Sequence, residues 1–232
     1  MNMQKKFTHI AAPVVLEEVE SYSNSTGGRY YNAPGGRKYP SVTTVTGWEK
    51  SAFFAEWRRK NPEESKRVLK RGNDLHQVIE DYLSNKEIDL MSLSPTVSSL
   101  FIQMKDTLDN IDNIQALETA LWSDTMCLAG RVDCIAEYNG VLSVIDFKGS
   151  TKQKEEKDIL NYYLQGAAYA IMWQERTKVP INEFNVIVAS ENGVPCEVFT
   201  GKTFKYVPKL YQAIKKYHDV HPPIAPKLPC EA

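Results

Sequence analysis

The 232-residue chain contains no run of about 18 apolar residues, which excludes a transmembrane helix. Cysteine is scarce: the four residues, at positions 127, 134, 196 and 230, include no C-x-x-C pair. A sequence-local zinc or iron–sulfur motif is thereby excluded, a disulfide framework is disfavoured, and free thiols are expected. Net charge is almost absent at −1, so the molecule does not bind nucleic acid by bulk attraction. The opening MNMQKKFTHI has neither an apolar signal core nor transit-peptide character, so the expected compartment is the cytoplasm. There is no internal repeat and no low-complexity linker. What remains, 42% hydrophobic and 25% charged residues, is the composition of a soluble globular protein with a sizeable core.

Charge is less even than its sum. Residues 57 to 71 hold Arg58, Arg59, Lys60, Lys66, Arg67, Lys70 and Arg71 against Glu63 and Glu64. Such a run either supplies phosphate contacts or forms a solvated helix face of alternating charge. Residues 27 to 48 suggest a small hairpin around Pro-Gly-Gly, then a turn into a helix. Asn61-Pro62 predicts a helix start, with helix continuing to about Leu83 and a kink or division at Gly72. Ser94-Pro95 opens an amphipathic helix on which Val97, Leu100, Phe101, Met104, Leu108 and Ile111 recur at helical spacing. Strands follow at 115 to 123 and in a hairpin at 130 to 150. A helix is expected at 157 to 176, a strand pair in FNVIVAS and VPCEVF, and a last helix at 207 to 218. The fold class is α/β, with antiparallel early strands behind a mostly helical N-terminal extension. The expected layout is 1–112 for that extension, 113–220 for the core and 221–232 for a Pro-rich tail, all within one compact domain.

The hairpin carries the chemistry. An Asn139-Gly140 loop in a type I′ turn sets Asp133 opposite Asp146 and Arg131 opposite Lys148. Alternation then puts Val132, Cys134, Ala136, Tyr138, Val141, Ile145 and Phe147 on a core face. The other face holds Arg131, Asp133, Asp146 and Lys148, with Ile135 and Val144 nearer the turn. Carboxylates directly opposed at about 4.5–5.5 Å repel and need a cation between them. Either a divalent metal supplies it or Arg131 and Lys148 neutralise the pair as ordinary ion pairs.

GRVD, a hairpin, then IDFK resembles the signature of the PD-(D/E)xK nucleases. RGNDLHQVIE adds the Gly-x-x-x-His-x-x-x-Glu pattern of the RecB-like branch at Gly72, His76 and Glu80. Glu118 lies on the preceding strand, and YYLQGAAYA supplies Gln165 and Tyr169. YPSVTTV is similar to an element of a narrower group of mitochondrial and phage exonucleases. The matches span about residues 39 to 170. The family often has Thr after IDFK, where this chain has Gly149. Relatives with an iron–sulfur cluster need four suitably placed cysteines, so no such cluster is expected.

The resemblance implies a mixed central sheet flanked by helices and a deoxyribonuclease using one or two Mg²⁺ or Mn²⁺ ions. Asp133, Asp146, the Phe147 carbonyl, His76 and Glu118 would hold the metal; Glu80 is kept out of the ligand set. Lys148 would act with them, and Gln165 would position the phosphate or nucleophile. Tyr169, Ser41, Thr43 and Thr44, with Arg58, Arg59, Lys66, Arg67, Lys70 and Arg71, would contact DNA. Aromatic residues beside the basic run (Tyr30, Tyr31, Tyr39, Trp48, Phe53, Phe54 and Trp57) suit single strands. The expected substrate is therefore single-stranded DNA cut from an end, leaving 5′-phosphates. A structure-specific endonuclease and a non-catalytic DNA-binding module are the alternatives. A phage or bacterial source is expected over a mitochondrial one.

Overall fold

A computed structural model describes residues 5–24, 27–193 and 195–222. An antiparallel three-stranded sheet comes first: β1 (Ser21–Ser23), β2 (Arg29–Ala33) and β3 (Arg37–Pro40). The expected hairpin is β2–β3, turning at Pro34–Gly36, where Gly35 and Gly36 both take positive φ. Strand β1 was not expected; SYS is too short and polar to show a period.

Four helices follow. Ser41 caps α1 (Val42–Gly47) by accepting the Thr44 N–H. Next comes α2 (Ser51–Lys60), of which no residue is buried. The Asn61-Pro62 signal does start α3 (Pro62–Leu83), which runs unbroken through Gly72. One glycine costs about 1 kcal/mol, too little to divide a 22-residue helix whose buried residues run from Arg71 through Leu75, Val78, Ile79 and Tyr82. Ser94 caps α4 (Pro95–Leu108).

The main sheet has order β4 (Ile111–Ser123), β5 (Leu128–Tyr138), β6 (Val141–Ser150), β7 (Glu183–Ser190), β8 (Glu197–Lys202). Neighbours pair antiparallel except β6 and β7, which run parallel. The parallel pair is joined by α5 (Leu160–Thr177), since a parallel neighbour needs a crossover. Strand β8 starts beyond Pro195 and Cys196, later than expected, and α6 (Thr203–Val220) is longer at both ends than expected. From residue 223 onward the expected Pro-rich tail lies outside the described residues.

Two cores sandwich the sheet. On one face Leu75, Ile79, Leu100 and Met104 of α3 and α4 pack with Ile145 and Phe147. On the other, Ala167 and Trp173 of α5 and Leu210 of α6 pack with Ile135, Val144 and Phe184. This corrects the one-sided hairpin: Ile135 and Val144 are as buried as Ile145, because a helix layer covers each face. Val132 packs under α5 rather than with Cys134, and Val141 at the turn is exposed.

The small sheet is tied to the large one through Asp124, in the β4–β5 turn. Its carboxylate accepts from the Tyr39 hydroxyl at 2.8 Å and pairs with Arg37 at 2.6 Å. Cys134 and Cys196 are free, as expected, but Cys127 is disulfide-bonded, which corrects the expectation of free thiols there. Among the described residues no helix is long and apolar enough to cross a membrane.

Candidate active site

The Asn139-Gly140 turn forms as its residues dictate, with φ of 50° and 78°. The register then runs as expected from Tyr138↔Val141 to Cys134↔Ile145 and stops there. Asp133 and Asp146 are therefore not ladder partners. Beyond Ile145, β6 leaves β5 but stays paired with β7 as far as Ser150. The Phe147 N–H, left without a β5 carbonyl, donates to Asp133 Oδ2 at 2.9 Å. The hairpin opens into a cleft at the point where its acids sit.

Glu118 enters from β4 through a backbone irregularity. Its neighbours Leu117 and Thr119 pair normally with Cys134 and Val132, while Glu118 itself has φ of 42°. A left-handed non-glycine residue inside a strand is costly and marks sites where function holds it. His76 comes from α3, its Nδ1 lying 3.6 Å from Asp133 Oδ2 and 3.7 Å from Glu118 Oε1. One donor atom from each of His76, Glu118 and Asp133 falls within 4.8 Å of the others. Burial pulls the imidazole pKa down, but the Glu118 and Asp133 carboxylates outweigh it and raise it overall.

Asp146 is buried, and its Oδ1 accepts from Lys148 Nζ at 2.6 Å. Its Oδ2 is buried without a hydrogen-bond partner among the described residues. Burial and repulsion from Asp133 push its carboxyl up to about 6, against the pull of Lys148. Burial disfavours the Lys148 ammonium too, yet Asp146 and Asp133 more than offset this and hold its pKa above the usual range. Arg131 does not join them. It donates to the Glu118 carbonyl and pairs with Glu18 at 3.0 Å, so it neutralises neither aspartate. An imidazole and three carboxylates, one of them with an orphaned buried oxygen, fit a hard divalent cation.

His76, Glu118 and Asp133 line a cleft of about 340 Å³ together with Arg131, Ser41, Thr43, Gln165 and Tyr169. Gly130 of GRVD admits Tyr169: a Cβ there would stand 2.6 Å from the phenol oxygen. Three wall residues escaped the sequence reading, Arg29, Asn73 and Gln77; a fourth, Tyr31, was expected among the aromatics facing a single strand. Glu80 lines the wall as well. Tyr162 was also missed; its ring lies 5.6 Å from Lys148 Nζ. Helical spacing could have found it, since Tyr162 stands three residues before Gln165 and on the same face.

The family profile described as the PD-(D/E)XK nuclease superfamily matches residues 101–216. The chain belongs to this superfamily. It is similar to mitochondrial genome maintenance exonuclease 1 of Mus musculus, at 28% identity over 67% of this chain and 51% of the relative. The human protein of that name is 31% identical, covering 50% of this chain and 38% of its own length. The Xenopus tropicalis protein is 28% identical, covering 67% and 50%. The chain spans about half the length of the curated relatives it matches, or less.

The basic run of this PD-(D/E)XK protein is divided. Arg58 and Arg59 are exposed at the end of α2. Lys66 pairs with Glu63, Lys70 with Asp74, and Arg67 with Glu64 and Glu191. Arg71 is buried, paired with Glu191, and donates to the Gly149 carbonyl at 3.1 Å. It fastens α3 to the end of β6 and is not available on the surface. Tyr30, Tyr31 and Tyr39 are core residues, whereas Phe53 and Phe54 are exposed. Ser41 is buried and capping α1, and Thr44 Oγ1 donates to the Arg29 carbonyl.

Gly149, the departure from the family pattern, follows from the same packing. A Cβ at this position would lie 2.9 Å from Leu75 Cδ2 and 3.7 Å from Arg71 Nε. Gly149→Thr is expected to destabilise the fold by about 1–3 kcal/mol through overpacking, read as a lower urea midpoint. An unchanged midpoint would show that α3 does not need this close approach.

Proposed function

We propose that the chain is a divalent-cation-dependent deoxyribonuclease, using Mg²⁺ or Mn²⁺, that degrades single-stranded DNA from an end to 5′-phosphate products. The observation that carries this is the His76–Glu118–Asp133 group, electrostatically coupled to the buried Asp146, whose Oδ2 has no hydrogen-bond partner among the described residues. Asp133, Asp146, Glu118 and His76, with the Phe147 carbonyl, would hold the cation. When bound it supplies charge neutralisation at the scissile phosphate and acidifies water.

The chain's own residues do the rest. Lys148 stabilises charge developing on the phosphate oxygens, its Nζ held by Asp146 and faced by the Tyr162 ring. Gln165 and Tyr169 position the phosphate against the opposite wall. Water gives up a proton to solvent as it adds to phosphorus in line with the P–O3′ bond; that bond breaks, and the leaving O3′ takes a proton from solvent. The exposed aromatic and cationic residues of α2, and relatives whose name includes exonuclease, support a strand with free bases and a free end.

Incubating end-labelled single- and double-stranded DNA with Mg²⁺, Mn²⁺ or EDTA tests the reading. Cation-dependent release of mononucleotides or short 5′-phosphorylated fragments from single strands is expected. A covalently closed single-stranded circle should persist; its cleavage would make the enzyme an endonuclease. No cation-dependent cleavage of any substrate would leave only a DNA-binding module.

A further inference from the structure

Among the described residues the active-site cleft shares one wall residue with each of two neighbouring clefts. At Gln77 it adjoins a second cleft, of about 420 Å³, between α3 and the start of α4. At Thr43 it adjoins a third, of about 530 Å³, enclosed by α1, α2, the β1–β2 turn and the end of α6. Their linings are opposite in character. The Gln77 side presents Asp74, Asp81, Glu87 and Asp89, and its one lysine, Lys70, is already paired with Asp74. A phosphate chain is repelled there. The described lining on the Thr43 side has no carboxylate at all. It offers the Arg58 guanidinium, which makes no ion pair among the described residues, and the rings of Trp48, Phe54, Tyr217 and His221.

Three of those rings are fixed in place. His221 stacks on Tyr217 at 4.4 Å, Trp48 stands edge-on to His221 at 5.5 Å, and the Tyr217 hydroxyl bonds that of Tyr30 at 2.9 Å. Phe54 is half-exposed, braced edge-on by Phe53 at 5.4 Å. Aromatic faces beside a lone cation suit an unpaired nucleobase and its phosphate, and a base held in a duplex cannot reach them.

We propose that the α1–α2–α6 cleft is a nucleotide subsite of the substrate strand, remote from the scissile bond, and that the strand leaves the active site past Thr43 rather than past Gln77. This rests on the nuclease reading, and it makes that reading's preference for single strands a property of this cleft. The test is fluorescence anisotropy with a labelled 20-nucleotide oligothymidylate, in EDTA so that nothing is cut. Phe54→Ala and Arg58→Glu, both at exposed positions, should each weaken binding by about tenfold, and Arg58→Glu should lower the salt slope by about one. Both variants should bind a blunt duplex as the wild type does. An abasic residue walked along the oligonucleotide should weaken wild-type binding at one position, and that effect should vanish in Phe54→Ala. If the wild type binds and degrades single strands but the variants bind them equally well, the subsite is wrong and the nuclease reading stands. If the wild type neither binds nor cuts single strands, both fail.

Discussion

Replacing Lys148 with alanine is expected to lower the rate of DNA cleavage by about 10²–10³-fold while leaving DNA binding measurable, the range found when a single donor to developing negative charge is removed. Among the described residues Lys148 holds the one ammonium group within hydrogen-bond reach of Asp146, at 2.6 Å, and it is faced by the Tyr162 ring. Burial would lower its pKa, but Asp146 and Asp133 outweigh this and raise it, which favours the charged ammonium. Lys148→Arg keeps the charge but spreads it over a planar fork and should restore only part of the rate. Measured kcat separates the two effects: a variant that only misfolds loses binding and secondary structure together, whereas this one should lose turnover alone. Unchanged turnover in Lys148→Ala would exclude the mechanism proposed here.

Asp133→Asn is the second large effect, and stability and activity should move in different directions. Asparagine still offers an oxygen to the Phe147 N–H, so the opened hairpin keeps that bond. It removes a proposed cation ligand, so kcat/KM should fall about 10³-fold. It also removes one repulsive charge from Asp146, whose carboxyl burial and Asp133 push from 3.8 to about 6. A carboxyl raised in the folded state costs nothing below its unfolded pKa and costs most above its folded one. The cation-free wild type therefore loses stability to this group as pH climbs from about 4 to about 6. Asp133→Asn should lose less over that interval. At neutral pH, Mg²⁺ should raise the wild-type Tm and leave the variant unmoved. Equal stabilisation of both by Mg²⁺ would place the cation elsewhere.

Much of the scaffold was legible from local chemistry. Asn61-Pro62 and Ser94-Pro95 start their helices, and Asn139-Gly140 sets a register that holds as far as Cys134↔Ile145. The site was legible as a set of residue types at family spacing, of which His76, Glu118, Asp133, Gln165 and Tyr169 line one cleft. The remainder depends on distant partners. Arg71 sits in a run that reads as surface, and its burial rests on partners far along the chain, Glu191 and the Gly149 carbonyl. Alternation along β6 shows which residues share a face but not that α5 covers the second one. The left-handed backbone at Glu118 has no signal in a glutamate flanked by Leu117 and Thr119.

The parting of β5 from β6 beyond Ile145 has a mechanical consequence. Glu118 and Asp133 belong to one arm, the β4–β5 ladder; Asp146 and Lys148 ride on the other, braced by β7. The arms are joined by continuous ladder only toward the Asn139-Gly140 end, in the manner of tweezers, and at their tips a single hydrogen bond from Phe147 to Asp133 spans the gap. A cation gripped by both tips is a crosslink as well as a reagent. Loading the metal should stiffen the sheet far from the chemistry, and its loss should loosen both arms together.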